Sequence, residues 1–155
     1  MAGAENRLAT SIGWAAAAAF AASWFLPVLE DVPGWAAFRY ALAPLVPFRN
    51  AGAAGFEDSA PQVMSALTNV VFIILFVSWQ SKRPVRDGLF VRIAIACFIL
   101  NLYWFVSALR GGDVGDLLVG YYVWLAAFAL LLALAIVTAS ANRRTSKTPT
   151  AATPS

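Results

Sequence analysis

The sequence predicts an all-α polytopic membrane protein: a four-transmembrane-helix bundle with a short outer interfacial helix between the first and second spans. Three observations predict it. Hydrophobic residues make up 61% of the chain and charged residues 12%, against about 45–50% and about 25% in soluble domains. The charges avoid four long runs: 8–29, 60–81 and 117–141 hold no Asp, Glu, Lys or Arg, and 89–109 holds Arg92 alone. Each run reaches the roughly 20 residues that a helix needs to cross the hydrocarbon. The last of them, "LLVGYYVWLAAFALLLALAIV", has no polar face, whereas a helix of a soluble bundle keeps one.

The first span, 8–29, carries small residues every fourth position, at Ala9, Gly13, Ala17 and Ala21. Such a stripe lets backbones approach closely. It predicts packing within the chain or, as the alternative, self-association with a second copy. Arg7 followed by an apolar run and Ala-x-Ala spacings also resembles a secretory signal. The run continues through Trp24-Phe25-Leu26, however, and its length suits a span better.

Residues 31–50, "DVPGWAAFRYALAPLVPFRN", are greasy but broken by prolines. Trp35, Phe38 and Leu42 share a helical face, with Arg39 and Tyr40 towards the other. A helix over about 33–43 is too short to cross and suits the interface or the outer mouth of the bundle. Ser59 three residues before Gln62, with Pro61 in the first turn, marks the start of the 60–81 span. Asp87 caps the next, 89–109, and Gly111-Gly112 supplies the left-handed residue that ends it. The final span, 117–141, completes a single domain over 1–141. The polar, Pro-bearing residues 142–155 predict a disordered cytoplasmic tail.

Charge sets the orientation. Arg7, Lys82, Arg83, Arg86, Arg143, Arg144 and Lys147 fall on one side, joined by Arg92; Arg39, Arg49 and Arg110 fall on the other. The positive-inside rule then places both termini in the cytoplasm. Lys82, Arg83, Arg86 and Arg92 form a candidate contact for anionic membrane lipid, with Arg92 snorkelling to the headgroups. The basic loop is too short for a nucleic-acid-binding domain.

The composition excludes much chemistry. There is no histidine and only one cysteine, Cys97, so neither a Ser–His or Cys–His pair nor a disulfide can be assembled. No carboxylate lies inside a span. The expectation is a non-enzyme without cofactor or metal. The deep polar residues are Ser65, Thr68, Asn69, Ser78, Asn101 and Ser107. Asn69 and Asn101 lie at matching depth, roughly 10–12 Å below the outer edge of the hydrocarbon. That permits an amide–amide bond between them, as interhelical glue or as a polar pocket to which Tyr103 or Tyr121 adds a hydroxyl.

Ser23-x-x-Leu26-Pro27, Gly34-Trp35, Asn69 and Gly120-Tyr121-Tyr122-x-Trp124 together resemble a loose family of small, uncharacterised bacterial inner-membrane proteins with four spans. In that family the Asn of the second span is often followed by proline, where this chain has Val70. The resemblance implies a fold and a location, the bacterial inner membrane. The functional expectation is a membrane protein that binds a partner or lipid. The alternative is a transport or small-ligand site around Asn69 and Asn101.

Overall fold

The computed structural model describes residues 2–29, 32–43, 45, 56–81, 87–112 and 114–145. It is all-helical apart from one small β-ribbon. Four long helices, α1 (Ala2–Ser23), α3 (Phe56–Gln80), α4 (Asp87–Gly111) and α5 (Val119–Thr145), run alternately up and down. A short helix, α2 (Gly34–Leu42), and two short strands, β1 (Pro27–Leu29) and β2 (Val32–Pro33), gather at one end, where a 3₁₀ turn (Val114–Asp116) also lies. Residues 82–86 and 146–155 lie outside the described set, and with them Lys82, Arg83, Arg86 and most of the expected tail. Residues 142–145, expected in that tail, continue α5.

Three helices are long and apolar enough to cross a membrane: 60–80, 88–111 and 119–144, with mean hydropathies of 1.9, 2.1 and 2.4. The first long helix differs from the span drawn over 8–29. It starts at Ala2 and stops at Ser23. Its first three turns carry Glu5, Asn6, Arg7, Thr10 and Ser11, which lower its mean hydropathy. The greasiest part of the expected span, Trp24 to Leu29, leaves the helix altogether. Trp24 and Phe25 tighten the end with bonds to Ala21 O and Ala22 O. Pro27, which has no N–H to extend a helix, then opens β1.

α5 is the centre of the molecule. Ala127, Phe128, Leu131, Leu134 and Ala135 are completely buried, at the alternating three- and four-residue steps of a packed seam. α1 lies along one side of it and α4 along the other, while α3 packs on α4 and α5. Among residues 6–23 of α1, the buried positions are Ala9, Gly13, Ala16, Phe20 and Ser23. This seam corrects the expected stripe. Four residues advance a helix by about 40° beyond a full turn, so a strict four-residue repeat winds off the face it starts on. Ala9 and Gly13 are therefore buried, Ala17 is half-buried and Ala21 faces out. At Gly13 a β-carbon would run into the Trp79 ring of α3. Ala9 and Gly13 thus pack inside the chain.

A ladder of rings fills the core. Phe20 stacks on Phe72 at 4.2 Å between centroids, and Phe128 meets Phe72 edge-on at 5.3 Å. Cys97 is buried within the same cluster. The outer faces carry Ile73, Ile74, Val77, Ile99 and Ile136, all substantially exposed. The local signals at the helix ends hold in part. Gly112 has φ +85°, the left-handed residue after α4. α3 begins three residues before Ser59, so Pro61 lies in its second turn rather than its first.

Candidate binding site under α2

After α1, the chain forms a strap across the end of the long helices. β1 pairs antiparallel with β2, Pro27 opposite Pro33 and Leu29 opposite Val32. Gly34 N–H donates to Leu26 O and Trp35 N–H to Trp24 O, both at 3.1 Å. On its other edge the strap accepts a bond from Leu118 N–H to Val28 O at 3.0 Å. Two glycines make these approaches possible. A β-carbon on Gly34 would collide with Ser23 O, and one on Gly120 with the carbonyls of Pro27 and Leu26. The strap is therefore clamped between the start of α2 and the start of α5.

α2 lies over this end with a face different from the expected one. Gly34, Ala37, Phe38 and Ala41 line the space beneath it at steps of three and four residues, with Tyr40 at its exposed rim. Trp35 turns outward, 45% exposed, with the Arg39 guanidinium 6.0 Å from its ring centroid, within cation–π range. Phe38, packing against Trp24 at 5.2 Å, fits the sequence pattern, as do the half-buried Leu42 and the exposed Arg39 and Tyr40. Pro33 is the N-cap residue and gives no side-chain cap; Asp31 lies outside the described residues.

Beneath α2 is a partly open cavity of about 340 Å³. Trp24 and Phe38 form one wall, Trp104, Tyr121 and Trp124 another, and Gln62, Ser65 and Asn69 of α3 bring polar groups to it. Ser65, Thr68 and Asn69 are all buried; their spacing of three and four puts them on one stripe of α3.

Asn69 and Asn101 do not bond to each other. Asn101, completely buried, accepts from Ser65 Oγ at 3.0 Å and donates from Nδ2 to Thr68 Oγ1 at 3.1 Å. Thr68 Oγ1 donates back to Ser65 O at 2.6 Å. Tyr121 hydroxyl donates to the Asn101 main-chain carbonyl at 2.9 Å. Asn69 faces α5 instead: its Oδ1 accepts from Trp124 Nε1 at 2.7 Å, and its Nδ2 donates to Ala66 O at 3.1 Å. Helical neighbours sit in different directions, so equal depth does not imply contact. The cavity touches Asn69, while Asn101 lies behind it and ties α3 to α4.

Tyr121 is buried at this site, but Tyr103 is not part of it; it is half-exposed and packs edge-on against Trp104. Ser78 and Ser107 lie elsewhere, and Ser107 is exposed. Arg92 is exposed near the opposite end of α4. The residue missed from sequence was Trp124, three positions after Tyr121 and so on the same face of α5. An indole that deep needs an acceptor for its N–H, and Asn69 was the available one.

Of the residues that carry the sequence resemblance, Ser23, Leu26, Pro27, Gly34, Asn69, Gly120, Tyr121 and Trp124 lie in the strap or around the cavity beneath α2, whereas Trp35 and Tyr122 are exposed. Compared with protein families, curated proteins and solved structures, the chain finds no match.

Proposed function

We propose that this is a non-enzymatic protein of the bacterial inner membrane that binds a small, mainly apolar molecule or a lipid in the cavity beneath α2. The observation that carries the reading is the cavity itself. It falls within the 300–1,000 Å³ usual for ligand pockets, with apolar and aromatic walls and few polar groups, and the strap and α2 exist chiefly to roof it. Ligand binding is favoured over self-association because Ala9 and Gly13 are already covered within the chain.

In this reading α1 is the fourth span. Its helical part free of charge, 8–23, rises about 24 Å, the apolar Trp24 to Leu29 carry the run on towards the outer interface, and it packs along α5. Both termini and the basic residues Arg7, Arg92, Arg143 and Arg144 face the cytoplasm, where Arg92, with Lys82, Arg83 and Arg86, meets anionic lipid. The cavity then opens near the outer leaflet.

Photolabelling tests the site. A diazirine-bearing naphthalene, irradiated with the purified protein in mild detergent, should label α2 and the cavity-facing turns of α3 and α5. Ala37→Trp, which fills the cavity from α2, should abolish that labelling. Adducts spread over the exposed Ile73, Ile74 and Ile99 face, and unchanged by Ala37→Trp, would remove the site.

A further inference from the structure

The polar groups around the cavity define what it should hold. Among the described residues lining it there is no charge. An ion entering would lose its hydration without meeting a counter-charge, which is costly in a low-dielectric setting. The ligand should therefore be neutral.

The hydrogens are distributed unevenly. The hydroxyls of Ser23, Ser65 and Tyr121 are directed at protein acceptors, Phe20 O, Asn101 Oδ1 and Asn101 O, while Tyr40 and Gln62, exposed at the rim, each carry both a donor and an acceptor. The donors are less fully used. Asn69 is fixed in orientation because the Trp124 indole can only donate, which assigns Oδ1 to that bond. One Nδ2 hydrogen goes to Ala66 O, and the second has no partner among the described residues. Nor does the indole N–H of Trp24 or Trp104. The site thus has donors to offer, between aromatic walls that suit a flat ring.

We infer that the cavity recognises an uncharged, flat ring compound bearing a carbonyl oxygen, which accepts a hydrogen bond from Asn69 Nδ2. The inference rests on the binding role proposed above, and the experiment separates the two. Equilibrium dialysis of the detergent-solubilised protein would compare 2,3-dimethyl-1,4-naphthoquinone, 2,3-dimethylnaphthalene and 2-naphthoate, each corrected for partition into empty micelles. The quinone should bind about tenfold tighter than the hydrocarbon, the equivalent of one net hydrogen bond, and the carboxylate weakest of all. Asn69→Leu should erase the preference for the quinone, so that quinone and hydrocarbon, both measured on that variant, bind equally. If that variant does not fold, the ranking of the three probes on the unmodified protein decides. Equal binding of quinone and hydrocarbon, or preference for the carboxylate, would overturn the assigned chemistry and leave the cavity as a site. Binding of none above the level seen with Ala37→Trp would overturn both.

Discussion

At the scale of single residues, two asparagines of equal depth do different work. Asn101 is enclosed by Ser65, Thr68 and Tyr121, and replacing its side chain affects only the joint between α3 and α4, because Tyr121 bonds its main-chain carbonyl. Asn69 faces the cavity and holds the Trp124 ring. Interhelical hydrogen bonds in membrane proteins average about 0.6 kcal/mol and reach about 1.7 kcal/mol. Asn101→Leu leaves Ser65 Oγ without its acceptor, so it should cost about 1–2 kcal/mol in unfolding by SDS titration from mixed micelles. It should not alter probe binding beyond that loss. Asn69→Leu should cost a similar amount and also red-shift or broaden the tryptophan emission as the Trp124 ring is released. Sequence reasoning found both residues because polar side chains are rare in these helices. It did not find their partners, since depth follows from residue count whereas direction depends on helix rotation and on neighbours distant in the chain.

At the scale of elements, the strap is the feature that sequence periodicity concealed. An apolar run from 8 to 29 reads as one span, but Pro27 and the Pro33-Gly34 pair bring its last residues into a ribbon. Those punctuation signals were visible; what was not visible was that the helix would already stop at Ser23. α2, by contrast, was legible in extent, over 33–43 against an observed Gly34–Leu42, though not in rotation. Its packing face uses Ala37 and Ala41 because α2 lies close over the long helices, and the large Trp35 ring is left at the surface beside Arg39. The glycine contacts give a direct check. Gly34→Ala and Gly120→Ala each place a β-carbon against backbone carbonyls that cannot yield by a rotamer change. Each should lower stability by roughly 1–3 kcal/mol and weaken ligand binding as the strap shifts. Gly88→Ala, where a β-carbon meets nothing within 4 Å, should be neutral or stabilising by up to about 1 kcal/mol. Comparing SDS-unfolding midpoints of the three variants would distinguish tight backbone approach from a general intolerance of substitution.

At the scale of the whole molecule, composition fixed the class and left the count of crossings to be tested. The α3, α4 and α5 segments were legible because uninterrupted Leu, Ile, Val and Phe give a strong signal in any window. α1 is different: alanine makes it a good helix, but its polar first turns and its end at Ser23 make it a weak span, and it gains its place by close packing on α5. If α1 crosses, the strap lies at the same end as the 111–118 turn, and both termini lie opposite, as the charge asymmetry requires. The cavity then faces the outer leaflet, where a neutral membrane-soluble ligand would reach it sideways from lipid or from above. Single cysteines in a Cys97→Ala background, probed on intact cells with a membrane-impermeant maleimide, test this most directly. Gly115→Cys should be labelled from outside, while Asn6→Cys and Asn142→Cys should react only after the cells are permeabilised. Labelling of positions 6 and 142 from opposite sides would show that α1 does not cross with the other three and would contradict the account.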